Sequence, residues 1–103
     1  MYVSIRHYDG VKSPNEVVSK VQAEFLPLIS KIPGFQDYYV IKTGNDAMTS
    51  VSIFKDRPSA DQSVKTAAKW AEKSMPRHLP NPPTVMHGEV VYHRKGETKK
   101  TAA

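Results

Sequence analysis

Apolar and polar positions along the chain switch between a strand-like and a helix-like period. Tyr2 to Tyr8 is rich in β-branched and aromatic residues and reads as a first strand, turned at Asp9-Gly10. Ser13-Pro14-Asn15-Glu16 then has the form of a helix start, with a hydroxyl to cap, a proline suited to the first helical position and a glutamate at capping-box spacing. Val17, Val21, Phe25, Leu28 and Ile32 follow at spacings of three and four, one apolar helical stripe. Pro27 lies inside it and removes the N–H that would bond the Ala23 carbonyl, so a kink is expected there. Pro33-Gly34 ends the helix.

Phe35 to Lys42 and Met48 to Phe54 read as a second and third strand around a hairpin loop at Thr43 to Ala47. Asp56-Arg57-Pro58-Ser59 leads into a second helix, with Ser59 and Gln62 at capping-box spacing and Val64, Ala68, Ala71 and Met75 as its apolar stripe. Pro76, Pro80, Pro82 and Pro83 dictate a stiff, extended linker, and Thr84 to His93 reads as a fourth strand. The order β-α-β-β-α-β specifies an α+β, ferredoxin-like antiparallel sheet of order 4-1-3-2 with both helices on one face. Tyr38-Tyr39-Val40-Ile41 and Val90-Val91-Tyr92 are apolar on both faces, and the third strand sets Val51 and Ile53 against Met48 and Phe54. The helices cover only one face, so the pattern calls for a second copy of the chain on the other.

Composition narrows the function classes. With 103 residues the chain suits one domain, expected over 1–93, and its lack of cysteine excludes disulfide and thiolate chemistry. The net charge is +5, but Arg94, Lys95, Lys99 and Lys100 lie in a final stretch, 94–103, that has nothing to bury and reads as a flexible basic tail. Without those four cations and Glu97 the net charge falls to +2, and no basic stripe interleaves with aromatics, so nucleic acid is not an expected partner. No apolar run is long enough to span a bilayer and no signal peptide opens the chain, so no membrane partner and a cytoplasmic location are expected.

Chemistry-bearing residues are few. His7, near the end of the first strand, and His87, near the start of an antiparallel fourth, are expected to share a face with Glu89, as a base–acid pair, a metal site or a hydrogen-bonded sheet rim. No single element carries metal-ligand spacing, so no metal is expected. Arg6 points the opposite way and is expected to pair with Glu89 or Asp37 across an interface. Trp70 groups with Thr66 and Ser74 at the edge of the buried face, either sealing the helix–sheet seam or walling a pocket. Tyr8, Tyr38, Tyr39, Ser50 and Ser52 can supply hydroxyls.

Ile32-Pro33-Gly34-Phe35 with Tyr38-Tyr39, Val51-Ser52-Ile53-Phe54-Lys55-Asp56, Ala68-Lys69-Trp70, and Leu79-Pro80-Asn81-Pro82-Pro83 before Gly88-Glu89-Val90 resemble the antibiotic-biosynthesis-monooxygenase-like domains of the dimeric α+β barrel superfamily. The resemblance covers about residues 1–93. It implies a homodimer whose sheets face each other, with a pocket between sheet and helices in each subunit. Relatives of this kind include cofactor-free oxygenases of aromatic polyketides, haem-degrading oxygenases and aldehyde-processing enzymes, so the fold does not fix the reaction. His78 stands where haem-degrading relatives carry an iron ligand, but their early first-strand asparagine is absent here, where Arg6 and His7 stand, so no haem is expected. The resulting expectation is a monooxygenase-like homodimer that oxidises a small aromatic or apolar substrate with no bound cofactor. His7 or His87 would be the proton acceptor and Tyr8 or Tyr39 the hydrogen-bond donor; Trp70, Tyr39, Ser52 and Phe54 would line the substrate. The alternatives are a non-catalytic homodimeric module that binds small molecules or regulates, and a structural dimer whose apparent site is filled core.

Overall fold

The computed structural model describes residues 1–96. The strands are β1 (Tyr2–Tyr8), β2 (Phe35–Lys42), β3 (Met48–Phe54) and β4 (Thr84–Glu89). The helices are α1 (Pro14–Lys20), continued by a π-helical turn (Val21–Phe25) and α2 (Leu26–Ile29), and then α3 (Arg57–Ser74). The sheet is antiparallel with order β2-β3-β1-β4, the ferredoxin-like topology expected. The fourth strand is shorter than expected: it ends at Glu89, after which Val91 and Tyr92 are exposed. The tail expected over 94–103 lies outside the described residues from 97 onward. Among the described residues, no helix is long and apolar enough to cross a membrane.

The first helical segment departs from α-helical geometry just before Pro27, where the kink is expected. Pro27 is accommodated at the second position of α2, where its missing N–H leaves no bond broken, and the preceding turn widens so that the Leu26 N–H reaches the Val21 carbonyl. The wider turn holds residues four apart in line. Val17, Val21, Phe25 and Ile29 therefore share the buried face, and Leu28, expected in the core, is 45% exposed. Ser13 precedes α1 in a left-handed conformation (φ 52°) and its side chain makes no cap bond. Its carbonyl accepts from the Glu16 and Val17 amides instead.

The start of α3 differs in the same way. Asp56, not Ser59, is the cap: its carboxylate accepts from the Ser59 N–H at 3.0 Å, which holds the carboxyl below its ordinary pKa. Ser59 instead donates its hydroxyl to the Pro33 carbonyl, tying the helix to the Pro33-Gly34 turn. Gly34 has φ +92° and would set a Cβ 3.2 Å from both Lys55 Cβ and Ser59 Oγ, so this turn admits only glycine without movement.

Alternation along the strands fixes which residues meet the helices. Met48, Ser52 and Phe54 of β3 are buried on the helix side, and their cross-strand partners Tyr8, Ser4 and Tyr2 share that side. Ala60, Ser63, Ala67 and Trp70 are the buried line of α3, packed on β1 and β3; Ala68, expected in the stripe, is exposed. The opposite sheet face carries Val3, Ile5, Val51 and Ile53, with Tyr39, Ile41 and Met86 at 54%, 46% and 60% exposure.

Candidate functional site

A cavity of about 40 Å³ lies between the sheet and the helices. Its apolar wall comes from Val17, Val21 and Phe25 of the first helical segment, Ala67 and Trp70 of α3, Val40, Met48 and Leu79. Its polar side chains are Arg6 and Tyr8 of β1, Tyr38 of β2, and Ser50 of β3; Thr49 also borders it, but its hydroxyl bonds His7 on the far face. At this size it holds water rather than a ring system. A groove of about 370 Å³ runs outside it between α3 and the proline linker. Arg6, Tyr8 and Leu79 line both spaces and so form the wall between them.

Trp70 is 8% exposed and stacks obliquely on Phe25 with ring centroids 5.3 Å apart. Its indole N–H donates to Glu24 Oε1 at 3.3 Å, leaving the ring to face the cavity. Bonds from Lys20 and then Trp70 hold the Glu24 carboxyl below its ordinary pKa. The π-helical turn carries Glu24 and Phe25 to these positions, so the same irregularity shapes both ends of the tryptophan contact. Trp70 ends the buried line of α3 and also borders an outer groove with Thr66 and Ser74, so it stands at the edge of the buried face as expected.

Arg6 is 5% exposed and faces the helices, not an acid across an interface. Its Nε and Nη2 donate to the Tyr8 hydroxyl at 3.3 and 2.9 Å, and Nη1 donates to the Val64 carbonyl at 3.4 Å. Neither Glu89 nor Asp37, its expected partners, bonds to it, and among the described residues it forms no salt bridge. Burial pushes the Tyr38 phenol up to about 12, so it stays a neutral donor through the physiological range.

The expected site residues separate. Tyr8 and Trp70 line the cavity. Ser52 and Phe54 are on the same side of the sheet, at 5% and 0% exposure, but in packed core. Tyr39 is on the far face, opposite Val51. His7 and His87 do not share a face. His7 pairs in register with Thr84, and His87 lies opposite Ser4, so the two histidines point to opposite sides of the sheet. His7 bonds Thr49 Oγ1 at 2.8 Å and Asp9 at 3.0 Å; His87 Nδ1 bonds the Tyr2 hydroxyl at 2.9 Å at the sheet edge. His78 bonds Glu16 at 2.6 Å, and its carbonyl accepts from Lys12, which fastens the linker to the start of α1. Arg6 is the cavity residue that sequence reasoning placed on the wrong side. The signal was its parity with Ser4 and Tyr8, strand neighbours of the core-facing Ser52 and Met48.

No family model matches this sequence. No curated protein matches it either. Solved structures match at fold level. One is a monooxygenase from the gene ActVA-Orf6 of Streptomyces coelicolor in complex with Nanaomycin D: TM-score 0.72, 15% identity, covering 93% of this chain and 92% of that one. The chain shares the ferredoxin-like α+β fold of that structure. The NE2512 protein of unknown function from Nitrosomonas europaea is similar at TM-score 0.69 and 17% identity, over 93% and 94% of the two chains. SnoaB, a cofactor-independent oxygenase from Streptomyces nogalater, is similar at TM-score 0.58 and 14% identity, over 91% and 94%. Within this fold, the cavity of the present chain lies between sheet and helices, where the resemblance leads one to expect a pocket.

Proposed function

We propose that this protein is a homodimeric, monooxygenase-like protein that takes a small aromatic or apolar molecule into the cavity beside Trp70 and oxidises it without a bound cofactor. The observation that carries the reading is an apolar cavity with a few convergent polar groups, Arg6, Tyr8 and Tyr38, in a fold whose similar structures include a monooxygenase holding Nanaomycin D. The cavity alone holds only water, so the ligand enters by displacing Leu79, which joins cavity and groove into one space; Trp70 and Phe25 then stack on it and Tyr8 or Tyr38 donates a hydrogen bond to its oxygen. An anthrone-like substrate balances the chemistry. Its methylene carbon becomes a carbonyl, one atom of dioxygen supplies that carbonyl oxygen, and the other leaves as water with the two methylene hydrogens.

The uncovered sheet face supports the dimer, since Tyr39, Ile41 and Met86 otherwise lie open to water. Sedimentation should give about twice the 11.5 kDa chain mass, and a stable monomer at micromolar concentration would remove the dimer. A second reading, a binding or regulatory module, is favoured by one observation: no histidine or carboxylate lines the cavity among the described residues. Oxygen uptake with anthrones and phenols, without added metal or flavin, decides between them. Uptake supports the oxygenase; no uptake across the panel, beside intact ligand binding, supports the module.

A further inference from the structure

A guanidinium is costly to bury, and a buried arginine ordinarily faces a carboxylate that offsets the cost. Arg6 is 5% exposed and has none among the described residues. Of its five N–H groups, three are used: two on the single Tyr8 oxygen and one, at 3.4 Å, on the Val64 carbonyl. One N–H on each terminal nitrogen has no protein acceptor among the described residues. The Tyr8 hydroxyl accepts twice from Arg6 and keeps its own proton to donate. Glu72, on the groove side, is exposed and forms no ion pair with Arg6.

We infer that Arg6 and Tyr8 form an oxyanion-binding site at the inner end of the groove, and that the ligand of this cavity is an anion: an aryl carboxylate or ionised phenol whose flat body lies against Trp70. The inference rests on the proposed small-molecule pocket and adds the ligand's charge to it. The two open N–H groups form a planar fork that matches a carboxylate, and the Tyr8 O–H adds a third donor. Apart from the Tyr38 and Ser50 hydroxyls the rest of the cavity wall is apolar, which suits the body of such an acid and leaves Arg6 as the one cationic group in the lining. The ligand's charge would supply the counter-ion that the fold lacks.

The test uses the full chain and three pairs of equal shape: benzoate and benzamide, 1-naphthoate and 1-naphthamide, 2-anthroate and its amide, titrated by calorimetry. The inference expects at least one acid to bind ten-fold or more tighter than its amide, and Arg6→Met to abolish that preference. It further expects Arg6→Lys, which keeps the charge but not the fork, to retain only part of it. If ligands bind but no acid binds ten-fold tighter than its amide, the anion site is overturned and the pocket stands. If neither acids nor amides bind, the pocket fails with it. Should Arg6→Met fail to fold, the acid–amide comparison in the unmodified protein still decides. A folded Arg6→Met that keeps the full acid preference overturns the role of Arg6.

Discussion

Ile29→Ala and Leu28→Ala form a paired test of the π-helical turn. A regular α-helical stripe running from Val17 through Phe25 would bury Leu28; the widened turn at Val21–Phe25 buries Ile29 instead. Ile29 is 0% exposed, so truncation removes its apolar burial and leaves a cavity that packed neighbours fill only in part, a loss of about 2–5 kcal/mol. Leu28 is 45% exposed, so about half of its side chain is already in water and truncation should cost about 1 kcal/mol or less. At about 4–8 °C per kcal/mol for a domain of this size, Ile29→Ala should lower Tm by at least about 8 °C and Leu28→Ala by far less. Both variants should be melted at one protein concentration, because the proposed dimer would make Tm concentration-dependent. Equal losses, or a larger loss for Leu28→Ala, would refute the widened turn and the position it gives Glu24 and Phe25 around Trp70.

Trp70→Phe should cost about 1–2 kcal/mol in packing by denaturant titration and weaken aromatic ligands, since it trims the cavity wall; unchanged ligand affinity would make Trp70 plain core. Gly10→Ala should be destabilising by thermal melt, because φ is +66° and the new Cβ would meet Asn81 Nδ2 at 2.6 Å; a variant of unchanged Tm would show that the linker does not seat on this turn. Tyr38 titrates near 12 against an ordinary 10.0, so its contribution to stability is complete below pH 10 and is lost as pH rises through the folded value. Ultraviolet titration should therefore show one tyrosine ionising well after the others, a step that Tyr38→Phe removes. Asp56 has the opposite sign: its contribution is present above 3.8 and lost as pH falls through the lower folded value, so Asp56→Asn should flatten the acid limb of the stability curve.

The alternation of β1 to β3, the turns at Asp9-Gly10 and Pro33-Gly34, and the proline linker made the sheet order readable from sequence, because each is a local signal that tertiary packing leaves intact. The helix phases were less readable. Propensity marks Pro27 as a problem but does not say whether the chain will bend or widen its turn, since that depends on what Phe25 and Ile29 pack against. Both cap assignments at Ser13 and Ser59 failed for a related reason. A serine competes with neighbouring acceptors, and Ser59 found the Pro33 carbonyl while Asp56 took the amide. Of the expected site residues, Tyr8 and Trp70 line the cavity because strand parity and helix phase point them inward; His7 fails by one residue of parity.

That one residue decides what chemistry the cavity can offer. With Arg6 inward and His7 outward with Thr49, the cavity holds a fixed cation, two phenols and the Ser50 hydroxyl, and no imidazole among the described residues. A histidine base would put a titration near neutrality into any rate profile. A cavity that instead stabilises the ionised substrate beside Arg6 lowers the substrate's own pKa, because an opposite charge within a few ångströms favours the charged form. An oxygenase built this way should have a pH profile that shifts with the acidity of the phenol or anthrone supplied, and that His7→Gln and His87→Gln leave in place. Rates measured for a series of ring-substituted substrates separate the two cases: one inflection common to all of them points to a protein base, and inflections that track each substrate's acidity point to Arg6.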